Sequence, residues 1–259
     1  MSKRRLSAAL AFASVILIVA NAQDKKTLLD EFISNDWQVV KAAKVGLENL
    51  QGAAIPELIE ILDNENKEKL TNTGSLIYPG AERFFGHGQI LDYDIDYLAI
   101  RAGWLIEEIA FTNFGFTGIH LMSNDAVNFI KITYPDYFNN SGNRKKIEGA
   151  SQEELRSIIQ ELATEKAKQW WKVEKENFSR LQALLDALRS FDEKRQVKAL
   201  FYLRNGVTKC DGLSRDFYYD EIIKDIGRLS GSDLQRIAEH AKLILLDTKL
   251  EWLAMKVGE

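Results

Sequence analysis

Cysteine is almost missing from this chain: Cys210 is the only one in 259 residues. No internal disulfide can close and no thiolate zinc site can form, so stability has to come from packing. Cys210 lies in the turn-like stretch Val207 to Gly212, and none of His87, His120 or His240 is near it in sequence to activate a nucleophile. It reads as a spare thiol. Catalytic signatures are missing too: there is no H-E-x-x-H, no G-x-S-x-G, no P-loop and no dinucleotide fingerprint. Nothing calls for a cofactor. His87 has no second histidine at ligand spacing, and His240 has no partner one turn away, so no metal site is expected. A surplus of positive charge is lacking as well, since the formal net charge is -4. That argues against nucleic acid, which is held by clustered Lys and Arg. No stretch alternates in the manner of a strand.

Long apolar runs are confined to one place. Lys3-Arg4-Arg5 precedes an apolar run from Leu6 to Ala20, and Ala20-Asn21-Ala22 follows as a small-x-small site. These are the three parts of a secretory signal peptide, 1–22, with cleavage expected after Ala22. The protein is then exported, periplasmic or secreted, and no membrane span remains after removal. The leader holds basic residues and no acidic ones, so its loss makes the remainder more acidic. Residues 23–259 are enough for one large domain or a short array of repeats.

What is present is helical periodicity. Leu28, Leu29, Phe32 and Ile33 form one stripe, Ser34-Asn35-Asp36 offers three caps, and Trp37, Val40, Ala43, Leu47 and Leu50 form the next. Ile55-Pro56 opens another helix, with proline where the first turn tolerates it. The stretch from Asp92 to Phe116, DYDIDYLAIRAGWLIEEIAFTNFGF, is the centre of the chain. Ile95, Leu98, Ala102, Leu105 and Ile109 recur at helical spacing, and Tyr97, Ile100 and Trp104 widen the stripe. So wide an apolar face predicts an inner helix covered on more than one side. Asp92, Asp94 and Asp96 stand at its start, where one of them is expected to cap it. Their D-x-D-x-D spacing also opens an EF-hand loop, but Tyr97 and Gly103 occupy the positions where that loop needs glycine and glutamate. Arg101, amid apolar neighbours, needs partners, and an internal ion pair with Asp94, Asp96 or Glu108 is expected.

Farther on, Gly115 or Gly118 is expected to stop the central helix. A helix is predicted over Asn124 to Ile132, and an exposed polar loop over Asn139 to Lys146. Ser151-x-x-Glu154 is a capping box opening a long helix that bends near Asn177, Asp192 caps a segment carrying Val197, Leu200, Phe201 and Leu203, and Ser232-x-x-Gln235 is a second box before the terminal helix.

VVKAAKVGLENLQGAAIPELIEILDN, Val39 to Asn64, resembles one HEAT repeat: a first helix with inward alanines and leucines, a tight turn, and a second helix opened by Ile-Pro. DYLAIRAGWLIEEIA, Asp96 to Ala110, is similar to the first helix of another, with Arg101 at that family's basic position. The resemblance implies an all-α fold, an irregular HEAT-like α-α superhelix of antiparallel helix pairs stacked side by side.

Between the two matched pieces lies an insertion at about 65–92. It opens polar and then carries Tyr78-Pro79-Gly80 and Phe84-Phe85-Gly86-His87-Gly88. Aromatics among glycines on a long loop suit a binding surface, or a plug at the end of the stack. Trp170 and Trp171 offer the same choice between an interaction hot spot and packing. The leading functional expectation is an exported binding module that recognises a protein partner, as an inhibitor, immunity or envelope scaffold component, through Tyr78, Phe84, Phe85, His87, Trp170 and Trp171. The rival is a small hydrolase of envelope polymer, with Asp94, Asp96, Glu107 or Glu108 catalytic. A structural module with no partner of its own is a third reading.

Overall fold

The computed structural model describes residues 25–81, 88–247, 253 and 256. The expected leader, Met1 to Ala22, and Phe84, Phe85 and His87 lie outside the described residues. The chain is mostly α, at 68% helix and 4% strand.

Helix α1 covers residues 25–32. Asp36 then caps α2 (Trp37–Asn49), its carboxylate accepting from the Gln38 amide at 2.8 Å. Trp37, Val40, Ala43 and Leu47 are the buried stripe of α2. A 3-10 turn (Gln51–Ala54) leads into α3 (Ile55–Ile61), where Pro56 sits in the first turn and removes an amide that has no intrahelical acceptor. The insertion runs back beside both helices. Thr71 exchanges backbone bonds with Asn35 and Trp37, and two short parallel strands, β1 (Leu76–Ile77) and β2 (Gln89–Ile90), pair within it. These strands correct the expectation of none; each is too short to show an alternating pattern in sequence.

The central helix, α4 (Leu98–Ile109), is buried over nearly its whole circumference, and Leu98, Ala102 and Leu105 are in the core. It starts later than the aspartates suggested. Its cap position is Tyr97, with no side-chain cap. The amide of Leu98 donates instead to the carbonyl of Asn66, so the insertion does the work assigned to Asp92, Asp94 or Asp96. Gly115, at φ 113°, takes the left-handed turn after the helix, followed by a 3-10 turn (Phe116–His120).

Helices α5 (Ser123–Thr133) and α6 (Pro135–Asn139) follow. The polar stretch expected as a loop is helical: α7 (Ser141–Glu148) is capped by Asn140, which accepts from the amides of Gly142 and Asn143, and it buries Ile147. A strong local cap and one core residue suffice where composition suggests an open loop. The Ser151–Glu154 box is formed and opens α8 (Gln152–Glu174), which ends just before Asn177. Ser179 caps α9 (Arg180–Arg189) and Asp192 caps α10 (Glu193–Asn205). After α11 (Arg215–Phe217) a π turn (Tyr218–Ile222) feeds α12 (Ile223–Leu229). The last described helix is α13 (Gln235–Leu246). Its expected capping box is not formed: Ser232 accepts from the amide of Leu234, a local turn that delays the helix start.

The buried side chains fall into two clusters. One joins α1 to α8 with the insertion; the other joins α9, α10, α12 and α13. Phe111, at φ 46°, carries its ring from the end of α4 into the second cluster, 5.0 Å from the Tyr202 ring centroid. Arg180 ties the two together. It donates to Glu48 Oε1 at 2.5 Å, to the Glu48 carbonyl at 3.2 Å and to Thr208 Oγ1 at 3.1 Å, and its guanidinium lies 4.6 Å from the Tyr202 ring centre. Among the described residues no helix is long and apolar enough to cross a membrane.

Candidate functional site

A cleft of about 880 Å³ opens along α4, with β2 and the residues after it on one side and α10 on the other. A smaller pocket of about 260 Å³ adjoins it between α2 and α10, sharing Gln89, Trp104, Glu108, Lys198 and Phe201 with the larger one. The larger volume falls in the ~300–1,000 Å³ range of ligand sites.

Its floor is the outer edge of α4. Trp104 stacks at 6.5 Å on Trp37 and lies tilted, at 6.0 Å, against Tyr93, and its Nε1 donates to Glu108 Oε1 at 2.6 Å. The other oxygen of Glu108 meets Lys44 Nζ at 2.5 Å, and the same ammonium reaches Glu48 Oε2 at 2.9 Å while lying 4.8 Å from the Trp104 ring centroid. Burial opposes the charge on Lys44, but Glu108 and Glu48 outweigh it and hold the ammonium above the ordinary lysine range. Burial would likewise raise Glu48; Lys44 and Arg180 prevail and bring its carboxyl down to about 2.

Glu107, one residue back, turns inward. Its Oε2 accepts from Tyr93 Oη at 2.5 Å and Lys198 Nζ at 3.2 Å, and its Oε1 from the amides of Phe114 at 2.6 Å and Gly115 at 3.1 Å. Four donors hold this carboxylate, so it fixes the loop after α4 against α10. At the other end His120 is half-buried with Nδ1 lacking a hydrogen-bond partner. Burial lowers its pKa, against the pull of Asp92 and Asp94. The apolar rim is Phe201, 52% exposed, and Ile90, 70% exposed. Phe201 was expected within the apolar stripe of its helix; it faces the cleft because Leu200 and Leu203 already fill the core side.

The residues singled out in the sequence do not gather in one place. Tyr78 is buried, and its hydroxyl donates to Asp96 Oδ1 at 2.9 Å. Trp170 and Trp171 are half-buried and packed on each other, on Phe178 and, for Trp170, on Phe114. Neither lines the cleft. The expected ion pair of Arg101 is replaced by carbonyl contacts: Nε donates to Ile95 at 3.0 Å, and Nη1 to Phe32 at 2.7 Å and Ser34 at 3.0 Å. The guanidinium fits there because the chain leaving α1 presents unpaired carbonyls to its fork of donors. Asp96 pairs with Lys69 at 3.0 Å and Glu108 with Lys44. Asp94 is pushed above the usual carboxylate range by burial and by Asp96 beside it, and its Oδ1 is buried with no hydrogen-bond partner. Among the described residues no group of three acids, histidines or cysteines is placed to hold a metal ion.

Lys44, Glu48, Tyr93, Lys198 and Phe201 line or support the cleft without having been marked in the sequence. Only Lys44 and Glu48 carried a local signal, an i, i+4 pair of opposite charge beside the buried Ala43 and Leu47. The chain matches no protein-family model, no curated protein and no solved structure.

Proposed function

We propose that this chain is a binding module that holds a segment of a protein partner in the cleft between β2, α4 and α10. The observation that carries the reading is the cleft itself, with the exposed Phe201 and Ile90 on its rim and Lys44, Glu107, Glu108 and Lys198 already paired within it. A cleft of this volume with Phe201 and Ile90 on its rim suits a peptide segment, whose side chains need apolar contact and whose backbone needs scattered polar groups. Gln89 and His120 supply such groups. Phe84, Phe85 and His87 belong to the same insertion as this wall, and the reading assigns them to partner contact. It treats Trp170 and Trp171 as packing.

The wider reading is an irregular HEAT-like α-α superhelix, exported by the leader and working in the periplasm or outside the cell as an inhibitor, immunity or scaffold component. Support comes from the quoted resemblance and from α4 packing on both α2 and α3. Against the hydrolase alternative, the oxygens of Glu107 and Glu108 are already occupied by donors, and Asp94 and Asp96 do not line the cleft.

The test is affinity capture with the immobilised mature chain. Phe201→Glu places a charge on an exposed rim position and is expected to abolish capture with little change in thermal unfolding. Trp171→Ala is expected to lower the unfolding temperature and leave capture intact in the folded fraction. The reverse pattern would reject the cleft as the binding surface.

A further inference from the structure

The wall of the cleft that β2 forms has an edge without a partner. Gln89 donates its amide to the Ser75 carbonyl at 3.0 Å and Leu91 to the Ile77 carbonyl at 2.9 Å, so residues 89 and 91 turn their backbone groups toward β1. These groups alternate in direction along a strand. The N–H and C=O of Ile90 therefore point away from β1, and no described residue bonds to either. The far side of β1 offers no such edge, because Leu76 is 1% exposed and gives its amide to Thr73. Gly88 to Tyr93 line the cleft without a break. We infer that the partner segment lies in the cleft in extended form and adds to β2 as a third strand, an inference that rests on the binding reading above.

Sheets guard an exposed edge with charge or proline, and the stretch from Gly88 to Leu91 carries neither. Ile90, 70% exposed, is an apolar residue in the place where a lysine would bar a further strand. A pair of short strands is marginal by itself, and an added strand supplies it with new backbone bonds. One residue of an antiparallel segment set opposite Ile90 exchanges both N–H···O bonds with it. A helical segment would satisfy its own backbone and leave the Ile90 groups bare. Phe201, 52% exposed across the cleft on α10, gives apolar contact to alternate side chains of the segment, as strand addition requires.

A random short-peptide library displayed on phage and selected on the full chain tests this. Ile90→Pro removes the outward N–H, leaves the amides of Gln89 and Leu91 on β1, and is a change that an edge strand tolerates. It is expected to weaken the enriched peptides by roughly tenfold or more, since a peptide carbonyl loses its donor. Ile90→Thr keeps the N–H and the β-branched shape, and is expected to cost less than about fivefold, the worth of one cross-strand side-chain contact. Methylating the peptide amides one at a time is expected to abolish binding at alternate positions only. That series decides the matter should Ile90→Pro fail to fold. Enriched peptides that slow hydrogen exchange in residues 89–93 but ignore Ile90→Pro, or whose methylation shows no alternation, overturn the added strand and leave the cleft standing. No enrichment on the unaltered chain overturns both, whether the edge stays bare or pairs with a second copy of the chain.

Discussion

Arg101 shows how much one side chain decides. It is 2% exposed, and its donors satisfy the carbonyls of Phe32, Ser34 and Ile95, three acceptors that water reaches poorly. Leaving a buried acceptor unpaired costs about 1–3 kcal/mol, so Arg101→Met is expected to lower the unfolding free energy by ~3 kcal/mol or more in urea titration. Arg101→Lys should recover only part of this, because one ammonium cannot span the three directions. Glu48 gives the prediction for pH. Its folded-state pKa, about 2, lies below the ordinary value of 4.5, so its contribution is present above 4.5 and is lost as pH falls from there toward 2. Thermal unfolding followed through that window should show a shallower acid decline for Glu48→Gln than for the unaltered chain, from a lower starting stability.

At the scale of elements, the close approach of α4 to the turn behind it rests on Gly103. A Cβ there would lie 2.5 Å from the Phe116 ring, which is fully buried and has nowhere to go. Helix propensity alone favours Gly103→Ala by about 1 kcal/mol, while overpacking costs about 1–3 kcal/mol. The clash is expected to win, giving a net loss of stability in chemical denaturation. A net gain would show that Phe116 can move. Helix α7 makes the complementary case, since it depends on its cap: Asn140→Ala should cost about 1 kcal/mol.

These elements also show what was legible in the sequence. The inner position of α4, the caps Ser151 and Asp192, and the entry of α3 at Pro56 were readable because each is a local signal or a long periodic one; the cap of α2 was readable only as one of Ser34, Asn35 and Asp36, of which the structure uses Asp36. The start of α4 was not, since Asn66, far back in the chain, supplies the acceptor for its leading amide. Nor was the environment of Arg101, which depends on where α1 ends. The cleft was largely hidden for the same reason: Lys198 meets Glu107 across 91 residues and Arg180 meets Glu48 across 132. Spacing within one helix identifies a buried face and says little about which distant helix will cover it.

For the whole molecule, the two buried clusters and the pairs between them make the cleft a junction. Arg180 and Phe111 lock α9 and α10 against α2 and α4, and the cleft takes its shape from that lock. Removing one partner of a buried ion pair costs about 3–5 kcal/mol; Lys44 remains to hold Glu48, so Arg180→Met belongs near the lower end, ~3 kcal/mol. Calorimetry of that variant should show a lowered or divided unfolding transition where the unaltered chain gives one. Whether a partner lies in this cleft, as proposed, is tested most directly by hydrogen exchange of the chain alone and with a captured partner. The account predicts slowed exchange concentrated in Gln89 to Tyr93 and Glu193 to Phe201. Unchanged exchange in those stretches, with protection instead around Trp170 and Trp171, would contradict it.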